Sequence, residues 1–506
     1  MQPTEAQSVK GCFGSASLRR VRGVLLTALS APTLEVPVTG VPDYLETWMT
    51  RQRWYAGKSR APKLEVIGGF GLADPHGAAI IRVYLVLDHA KHPVLYQVPL
   101  TERSEPLEGG EGALVASFEV ETGYRFIYDG PHDPAFAEAL LRLVLDDGEA
   151  HETDGPAAAN SGGPLVARGH HAAGKDLVQY VSSRVLSGEQ SNSSIIFDTA
   201  TADGTASTPI ICKVFRALHH GDNPDVTLTE ALGAAGSTVA PRSIGHVTGL
   251  WTDSGMPDGI ACGHLAFAQE FLPGVEDAWR VAVRAAEVAE DFTERARALG
   301  VTTAEMHETL HSALPSRATT PSDIAKTIES MRYRFELATA EVPDLAGYRP
   351  ALERIYQESA ASPWPALQRI HGDFHLGQVL AVPGRGWVVL DFEGEPMRPM
   401  SERSLPDIPL RDVAGMLRSF DYVAGSFALA HPGESAAAWA SACRRAFLDG
   451  YIERSGLDLR AHRAVLDAFE IDKALYEALY EARNRPGWLA IPTAAIARLI
   501  ERSTSP

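Results

Sequence analysis

Apolar and polar residues alternate over Leu64–Phe70, Ala79–Asp88 and Val94–Val98, the period-two pattern of strands that bury one face. Ahead of them, Tyr44 to Lys58 is aromatic-rich and helix-like as far as Gly57, so the pattern predicts a small antiparallel sheet with a helix packed on it and Trp48, Trp54 and Tyr55 in the core. Ala135–Leu145 has helical apolar spacing. From Asp146 to Lys175 the periodicity disappears into Gly, Ala, His, Asp and Pro, which reads as a mobile loop. Strand patterns resume at Tyr180–Leu186, Ile195–Phe197, Ile210–Phe215 and His264–Leu272. Beyond Pro273-Gly274 the period lengthens, predicting helices over Asp277–Leu299, Thr302–Leu314 and Pro321–Thr339, and again from Arg411 and through Ile471–Arg485. One hairpin interrupts them, Val379–Val382 and Trp387–Leu390 around the turn Pro383-Gly-Arg-Gly386.

Composition narrows the class. The 506 residues carry 45% hydrophobic and 22% charged side chains, a globular balance, with a formal charge of −18 from 46 Lys+Arg against 64 Asp+Glu. That surplus of acid argues against a nucleic-acid or anionic-membrane partner while leaving room for a local phosphate pocket. Cys12, Cys212, Cys262 and Cys443 form no CxxC pair. The stretch Arg19–Ala31 is too short in its apolar core for a secretory signal, and no apolar run could span a bilayer. A cytoplasmic location is therefore expected.

The chemistry centres on the hairpin. Phosphoryl transfer from ATP needs a carboxylate to orient the attacking hydroxyl and oxygen ligands to hold Mg²⁺ against the phosphates. His371-Gly-Asp373-Phe-His375-Leu-Gly-Gln378 and Asp391-Phe-Glu393-Gly-Glu-Pro396 have the kinase spacing of catalytic Asp, amide ligand and metal-binding Asp. The hairpin between them would bring Gln378 beside Asp391. Upstream, Lys213 interrupts the apolar strand Ile210–Phe215, and Asn223-Pro224 starts a helix that carries Glu230, the strand-lysine and helix-glutamate arrangement that positions nucleotide phosphates. The turn holding Ser187, Gln190, Ser191 and Asn192 could cap phosphates with its amides, and Gln269, Glu270 and Phe271 fall where adenine would meet a hinge. Asp412, at a helix start, reads as a support for the catalytic loop. Tyr476 and Tyr480 share a helix face suited to stacking on a sugar, with Glu477 and Glu481 on another.

These strings, with Gln52-Arg-Trp-Tyr-Ala-Gly-Lys58, Arg411–Tyr422 and Tyr480-Glu-Ala-Arg-Asn-Arg-Pro486, resemble the bacterial maltokinase family from about Tyr44 to the C-terminus. The resemblance implies an α+β, bilobal protein-kinase-like fold with an antiparallel-sheet N-lobe, a helical C-lobe and an N-terminal cap. The expected division is a leader over 1–36, the cap over 37–130, the nucleotide-binding sheet region over 131–272 with a loop at 146–175, and the helical lobe over 273–506. It further implies ATP- and Mg²⁺-dependent conversion of maltose to maltose 1-phosphate, feeding α-glucan synthesis, with a trehalose synthase-type enzyme as partner. Carried over by position, Asp373 is the catalytic base, Gln378 and Asp391 hold metal, and Lys213 binds phosphate with Glu230 beside it. The sugar-facing set is His375, Glu393, Arg411, Tyr422, Tyr476, Tyr480 and Arg483, and His371 and Asp412 support the loop. The alternatives are a glucosamine or aminoglycoside kinase of the same fold, or a catalytically idle kinase-like module that binds an enzyme of glucan metabolism.

Overall fold

The computed structural model describes residues 42–58, 60–152, 165–172, 178–186, 191–395 and 398–504, so the expected leader lies outside the described residues. Two compact units divide the chain, one running to Asn223 and resuming over Ser243–Phe271, the other formed by Pro224–Arg242 and the chain from Leu272 on.

The first unit begins with α1 (Asp43–Met49) and a sheet of β1 (Leu64–Leu72), β2 (Ile80–Asp88), β3 (Val94–Arg103), β4 (Leu114–Val120) and β5 (Gly123–Asp129), in the order β1-β2-β3-β5-β4 with antiparallel pairs. Leu45, Met49, Trp54, Tyr55, Val86, Tyr96 and Val98 form its core. The helix expected to reach Gly57 stops after Met49. Residues 50–58 turn instead, which lets the Tyr55 hydroxyl donate to Asp88 at 2.7 Å, a carboxylate that also accepts from Arg60 at 2.6 Å.

Asp133 caps α2 (Pro134–Leu145) by accepting the Ala135 amide hydrogen at 2.9 Å. The second sheet contains β6 (Glu149–His151), β7 (Leu165–His171), β8 (Val178–Val185), β9 (Asn192–Thr201), β10 (Ile210–Phe215), β12 (Ser243–Thr252) and β13 (Ile260–Glu270), ordered β6-β7-β12-β13-β10-β9-β8, while β11 (Ala217–Leu218) pairs with β3 of the first sheet. The loop expected over 146–175 is thus corrected: β6 and β7 lie within it. Gly169, His170 and His171 give β7 no apolar alternation, and its stability comes from pairing with β12, where the ring of His170 stacks on His246 at 4.7 Å.

Arg216, between β10 and β11, is fully buried. It donates to both oxygens of Asp129 (2.7 and 2.8 Å) and to the Ser193 hydroxyl (2.9 Å), and its guanidinium lies 4.9 Å from the Trp54 ring centroid. Gln97 on β3 donates to the carbonyls of Phe215 (3.1 Å) and Leu265 (2.9 Å). These bonds satisfy polar groups that burial would otherwise penalise and sew the two sheets together.

The second unit comprises α3 (Pro224–Ala234), β14 (Glu276–Asp277), α4 (Ala278–Glu287), α5 (Thr293–Ala313), α6 (Pro321–Glu341), α7 (Arg349–Ala361), β15 (Val379–Val382), β16 (Gly386–Val389), α8 (Met400–Arg403), α9 (Leu410–Ala430), α10 (Ala437–Ser455), α11 (Arg463–Asn484) and α12 (Ala490–Thr504). The helix expected over Asp277–Leu299 splits after Glu287, where Ala289 takes a left-handed φ of 51°, and α5 then runs unbroken past Thr302. α5 and α10 approach through Gly300 and Gly450, where a Cβ would collide with the carbonyls of Phe447 and Arg297. The segment Pro224–Arg242, expected with the nucleotide sheet, packs in this unit: Val389 N–H donates to the Val239 carbonyl at 2.7 Å, and Arg385 donates to the carbonyls of Thr238 and Ala240. Among the described residues no helix is long and apolar enough to cross a membrane.

Candidate active site

Helix α9 holds the loop His371–Gln378 with one face. Asp412 accepts the amide hydrogens of His371 (2.8 Å) and Gly372 (2.9 Å), Gly415 lets the loop backbone approach so closely that a Cβ would lie 2.5 Å from the Phe374 carbonyl, and the Ser419 hydroxyl accepts the Leu376 amide at 3.0 Å. Positions 412, 415 and 419 share a helix face by their three- and four-residue spacing. Behind them His307 on α5 lies 3.0 Å from Asp412 through Nε2 and 3.0 Å from the Tyr451 hydroxyl through Nδ1. His371 donates from Nε2 to the Leu390 carbonyl at 2.8 Å and receives the Asp373 amide hydrogen at Nδ1, 3.3 Å away; this tautomer is assigned from the bonding pattern. Both residues read from sequence as supports, His371 and Asp412, therefore bond the loop directly.

Asp373 sits at the loop's centre with its side chain 17% exposed and accepts from Lys473 Nζ at 2.9 Å. Burial alone would raise its pKa, but the charges of Lys473 and His375 and the hydrogen bond from Lys473 prevail and hold it at about 2. Burial likewise acts to lower Lys473, and the carboxylates of Asp373 and Glu395 reverse it, raising the ammonium pKa above its ordinary value. The site thus presents an ionised carboxylate at neutral pH. Lys473 was not singled out in the sequence, although it stands three and seven residues before Tyr476 and Tyr480, on their helix face.

The hairpin β15–β16 brings Gln378 beside Asp391, Gln378 Nε2 donating to Asp391 Oδ2 at 3.0 Å. Asp391 has a left-handed φ of 62°, and the next amide, Phe392 N–H, donates to Asp225 Oδ1 on α3 at 2.9 Å. Asp225, Asp391 and Glu393 each offer an oxygen within 4.8 Å of the others. Hard oxygen donors in this number suit Mg²⁺, which takes one or two protein carboxylates and fills its shell with water and phosphate oxygens. Glu393, expected to face sugar, places an oxygen in this carboxylate group and does not line the cleft beside Asp373.

A cleft of about 420 Å³ opens beside Asp373, lined by Trp279, His375, Tyr422, Lys473, Tyr476, Glu477, Tyr480, Glu481, Arg485 and Trp488 among others. It gathers four of the expected sugar-facing residues: His375, Tyr422, Tyr476 and Tyr480. Two others fall elsewhere. Arg411 donates to Asp407 at 2.8 Å and lies over the Phe469 ring, lining a small buried cavity, because the acidic groups packed around it hold its guanidinium inward. Arg483 turns out to Glu341 at 2.7 Å, on the exposed side of the last turn of α11. Glu477 and Glu481 do line the cleft, since adjacent helix positions are only about 100° apart. Both are engaged: Arg418 donates to Glu477 at 2.8 and 2.9 Å, and Glu481 accepts from Arg485 (2.6 Å) and the Tyr422 hydroxyl (3.2 Å). Trp488 stacks beside Tyr422, ring centroids 6.4 Å apart, and carries Arg485 over its face at 4.7 Å. Trp488 lies beyond the end of α11, so helical periodicity could not place it.

The nucleotide-side expectations fall mostly in the first unit. Ser187 and Gln190 lie outside the described residues, Ser191 is an exposed bend and Asn192 begins β9. Lys213 sits on β10 opposite Ser194 and Phe267. Gln269 is buried on β13, Glu270 ends that strand, and Phe271 N–H donates to the Pro209 carbonyl at 2.8 Å. Glu230 is on α3, in the second unit.

A held catalytic-type Asp, a hairpin joining it to a carboxylate turn, and an antiparallel-sheet unit with a lysine-bearing strand define a phosphotransferase of the kinase fold. Residues 48–133 match the maltokinase N-terminal cap domain family, and residues 229–465 match the phosphotransferase enzyme family. The chain is 31% identical over 299 residues to a glucosamine kinase of Streptacidiphilus jiangxiensis, covering 55% of this chain and 66% of that one. It is 29% identical over 342 residues to a glucosamine kinase of Mycolicibacterium smegmatis (64% and 80%). A solved glucosamine kinase structure superposes with a TM-score of 0.62 at 22% identity, covering 90% of this chain and 99% of that one. The chain thus carries a maltokinase-type N-terminal cap over residues 48–133 and a phosphotransferase-family domain over residues 229–465.

Proposed function

We propose that this protein is an ATP- and Mg²⁺-dependent sugar kinase whose acceptor is maltose, phosphorylated at the anomeric hydroxyl to give maltose 1-phosphate for α-glucan synthesis. The observation that carries this reading is the cleft beside Asp373, floored by Tyr422, Tyr476, Tyr480 and Trp488, whose three lining carboxylates each already hold a cation: Asp373 with Lys473, Glu477 with Arg418, Glu481 with Arg485. Aromatic faces suit the apolar faces of a neutral sugar, and a cationic amino sugar would have to displace an existing partner to find a counter-charge. The maltokinase-type cap supports the same acceptor.

Asp373, ionised and fixed by the loop, orients the acceptor hydroxyl and accepts its proton as transfer proceeds. Mg²⁺, when bound by Asp391 with Gln378, Asp225 and Glu393 close by, supplies positive charge against the phosphate oxygens. Lys213 would hold nucleotide phosphates. A trehalose synthase-type partner and a cytoplasmic location accompany the reading. A second reading, glucosamine as acceptor, is favoured by the names of the relatives.

The test is product formation from Mg·ATP with maltose, glucose, trehalose, glucosamine and an aminoglycoside, with phosphorus NMR locating the new phosphate. An anomeric phosphate on maltose supports the proposal. Turnover confined to glucosamine replaces the acceptor, and no turnover with any sugar returns the idle binding module. Asp373→Asn should lower kcat by roughly 10²–10⁴-fold with folding unchanged.

A further inference from the structure

The Asp391-Phe392-Glu393 turn carries a conformational cost. Asp391 has a φ of 62°, in the left-handed region that side chains other than glycine occupy reluctantly, so its neighbours must hold it there. The following amide, Phe392 N–H, donates to Asp225 Oδ1 at 2.9 Å, and both Asp225 and Phe392 are almost wholly buried, 0% and 1% exposed. Asp225 belongs to the first turn of α3, and further along the same segment the carbonyls of Val239, Thr238 and Ala240 take hydrogen bonds from Val389 and Arg385 of the hairpin. The segment therefore grips the hairpin along its edge and the turn at its tip. A buried amide hydrogen deprived of its acceptor incurs the full desolvation penalty, which gives this single bond leverage over a turn already in a sparsely populated conformation.

We propose that Asp225 is a positioning residue for phosphoryl transfer: by accepting the Phe392 amide hydrogen it fixes the left-handed turn that presents the Asp391 carboxylate to the metal. The role rests on the reading of Asp391 as a metal-holding residue. Asp225 makes its contribution from α3, the helix that also bears Glu230, so the conformation of the metal turn is tied to the start of that helix.

The role separates hydrogen bonding from charge. Asp225→Asn keeps an oxygen that can accept the amide hydrogen, whereas Asp225→Ala removes it. Two measurements on the full chain decide: hydrogen exchange at the Phe392 amide without added metal, and the Mg²⁺ concentration for half-maximal activity. Asp225→Asn should keep the amide protected and, losing only one charge of the carboxylate cluster, raise the Mg²⁺ requirement by a factor well below that seen in Asp225→Ala. Asp225→Ala should speed exchange at Phe392 and raise the Mg²⁺ requirement at least tenfold, with KM for sugar little changed. Equal Mg²⁺ requirements in Asp225→Ala and wild type would overturn the proposal, and so would an Asn variant as impaired as the Ala variant. Should Asp225→Ala fail to fold, exchange at Phe392 in Asp225→Asn still decides, since loss of protection there contradicts the role. Asp391→Asn is measured alongside. An unchanged Mg²⁺ requirement in that variant would remove the metal reading itself, whereas an effect there with none in Asp225→Ala removes only the role given to Asp225.

Discussion

Replacing Lys473 with Met removes the cation that holds Asp373 while nearly preserving side-chain length. In the wild type the carboxyl pKa falls from 3.8 to about 2 although burial acts in the opposite direction. A drop of nearly two units corresponds to roughly 2–3 kcal/mol of stability. Because the folded pKa is depressed, that contribution is present above the unfolded pKa near 4 and is lost as pH falls toward 2. Lys473, whose folded pKa is raised, contributes below its unfolded pKa, so the pair is complete across the neutral range. Side chains 17% and 20% exposed are largely desolvated, so removing one partner should cost about 3 kcal/mol at neutral pH. In Lys473→Met the difference from wild type should shrink as pH falls from the raised Asp373 pKa of the variant toward 2, below which Asp373 carries a proton in either protein. Without the ammonium, His375 and His371 alone oppose burial, and the Asp373 pKa rises. The acid limb of kcat/KM should then lie at higher pH than in the wild type. Urea unfolding at several pH values and a pH–rate series measure both effects. A stability change below about 1 kcal/mol together with an unmoved acid limb would refute the pairing.

Asp412→Ala strips acceptors from two loop amides, those of His371 and Gly372, and should destabilise the fold by about 2–4 kcal/mol, read by denaturant unfolding, with kcat falling more than KM rises. Arg216→Met leaves Asp129 buried without its cation, at a cost of about 3–5 kcal/mol, and an Asp129→Leu change added to it should recover much of that loss, a double-mutant cycle by thermal unfolding being the check. Trp488→Ala, which removes the ring stacked beside Tyr422, should raise KM for a disaccharide about tenfold and leave KM for a single hexose nearly unchanged; equal effects on the two sugars would count against a two-ring cleft.

What the sequence disclosed was local. Asp373, Gln378 and Asp391 were legible because their positions depend on a short loop and hairpin whose turn residues, Pro383 to Gly386, are themselves explicit. Tyr476 and Tyr480 were legible through helical spacing. Partners brought from far along the chain were hidden: Asp225 meets Phe392 across 167 residues and Lys473 meets Asp373 across 100, contacts that only tertiary packing creates. Arg411 and Arg483 do not line the cleft, because each guanidinium follows its nearest carboxylates, Asp407 and Glu341. β7 was concealed because backbone pairing with β12, rather than apolar alternation, places it in the sheet.

The strand that bears Lys213 runs through buried Arg216 directly into β11, and β11 adds to the sheet of the preceding residues by pairing with Tyr96 and Leu95. A boundary drawn by family resemblance near residue 133 is therefore not a seam along which the protein can be cut. Excising the N-terminal portion would bare a strand edge, strand a guanidinium in an apolar interior and take two donors from carbonyls of the second sheet. Such a truncation should yield insoluble chain rather than a smaller enzyme.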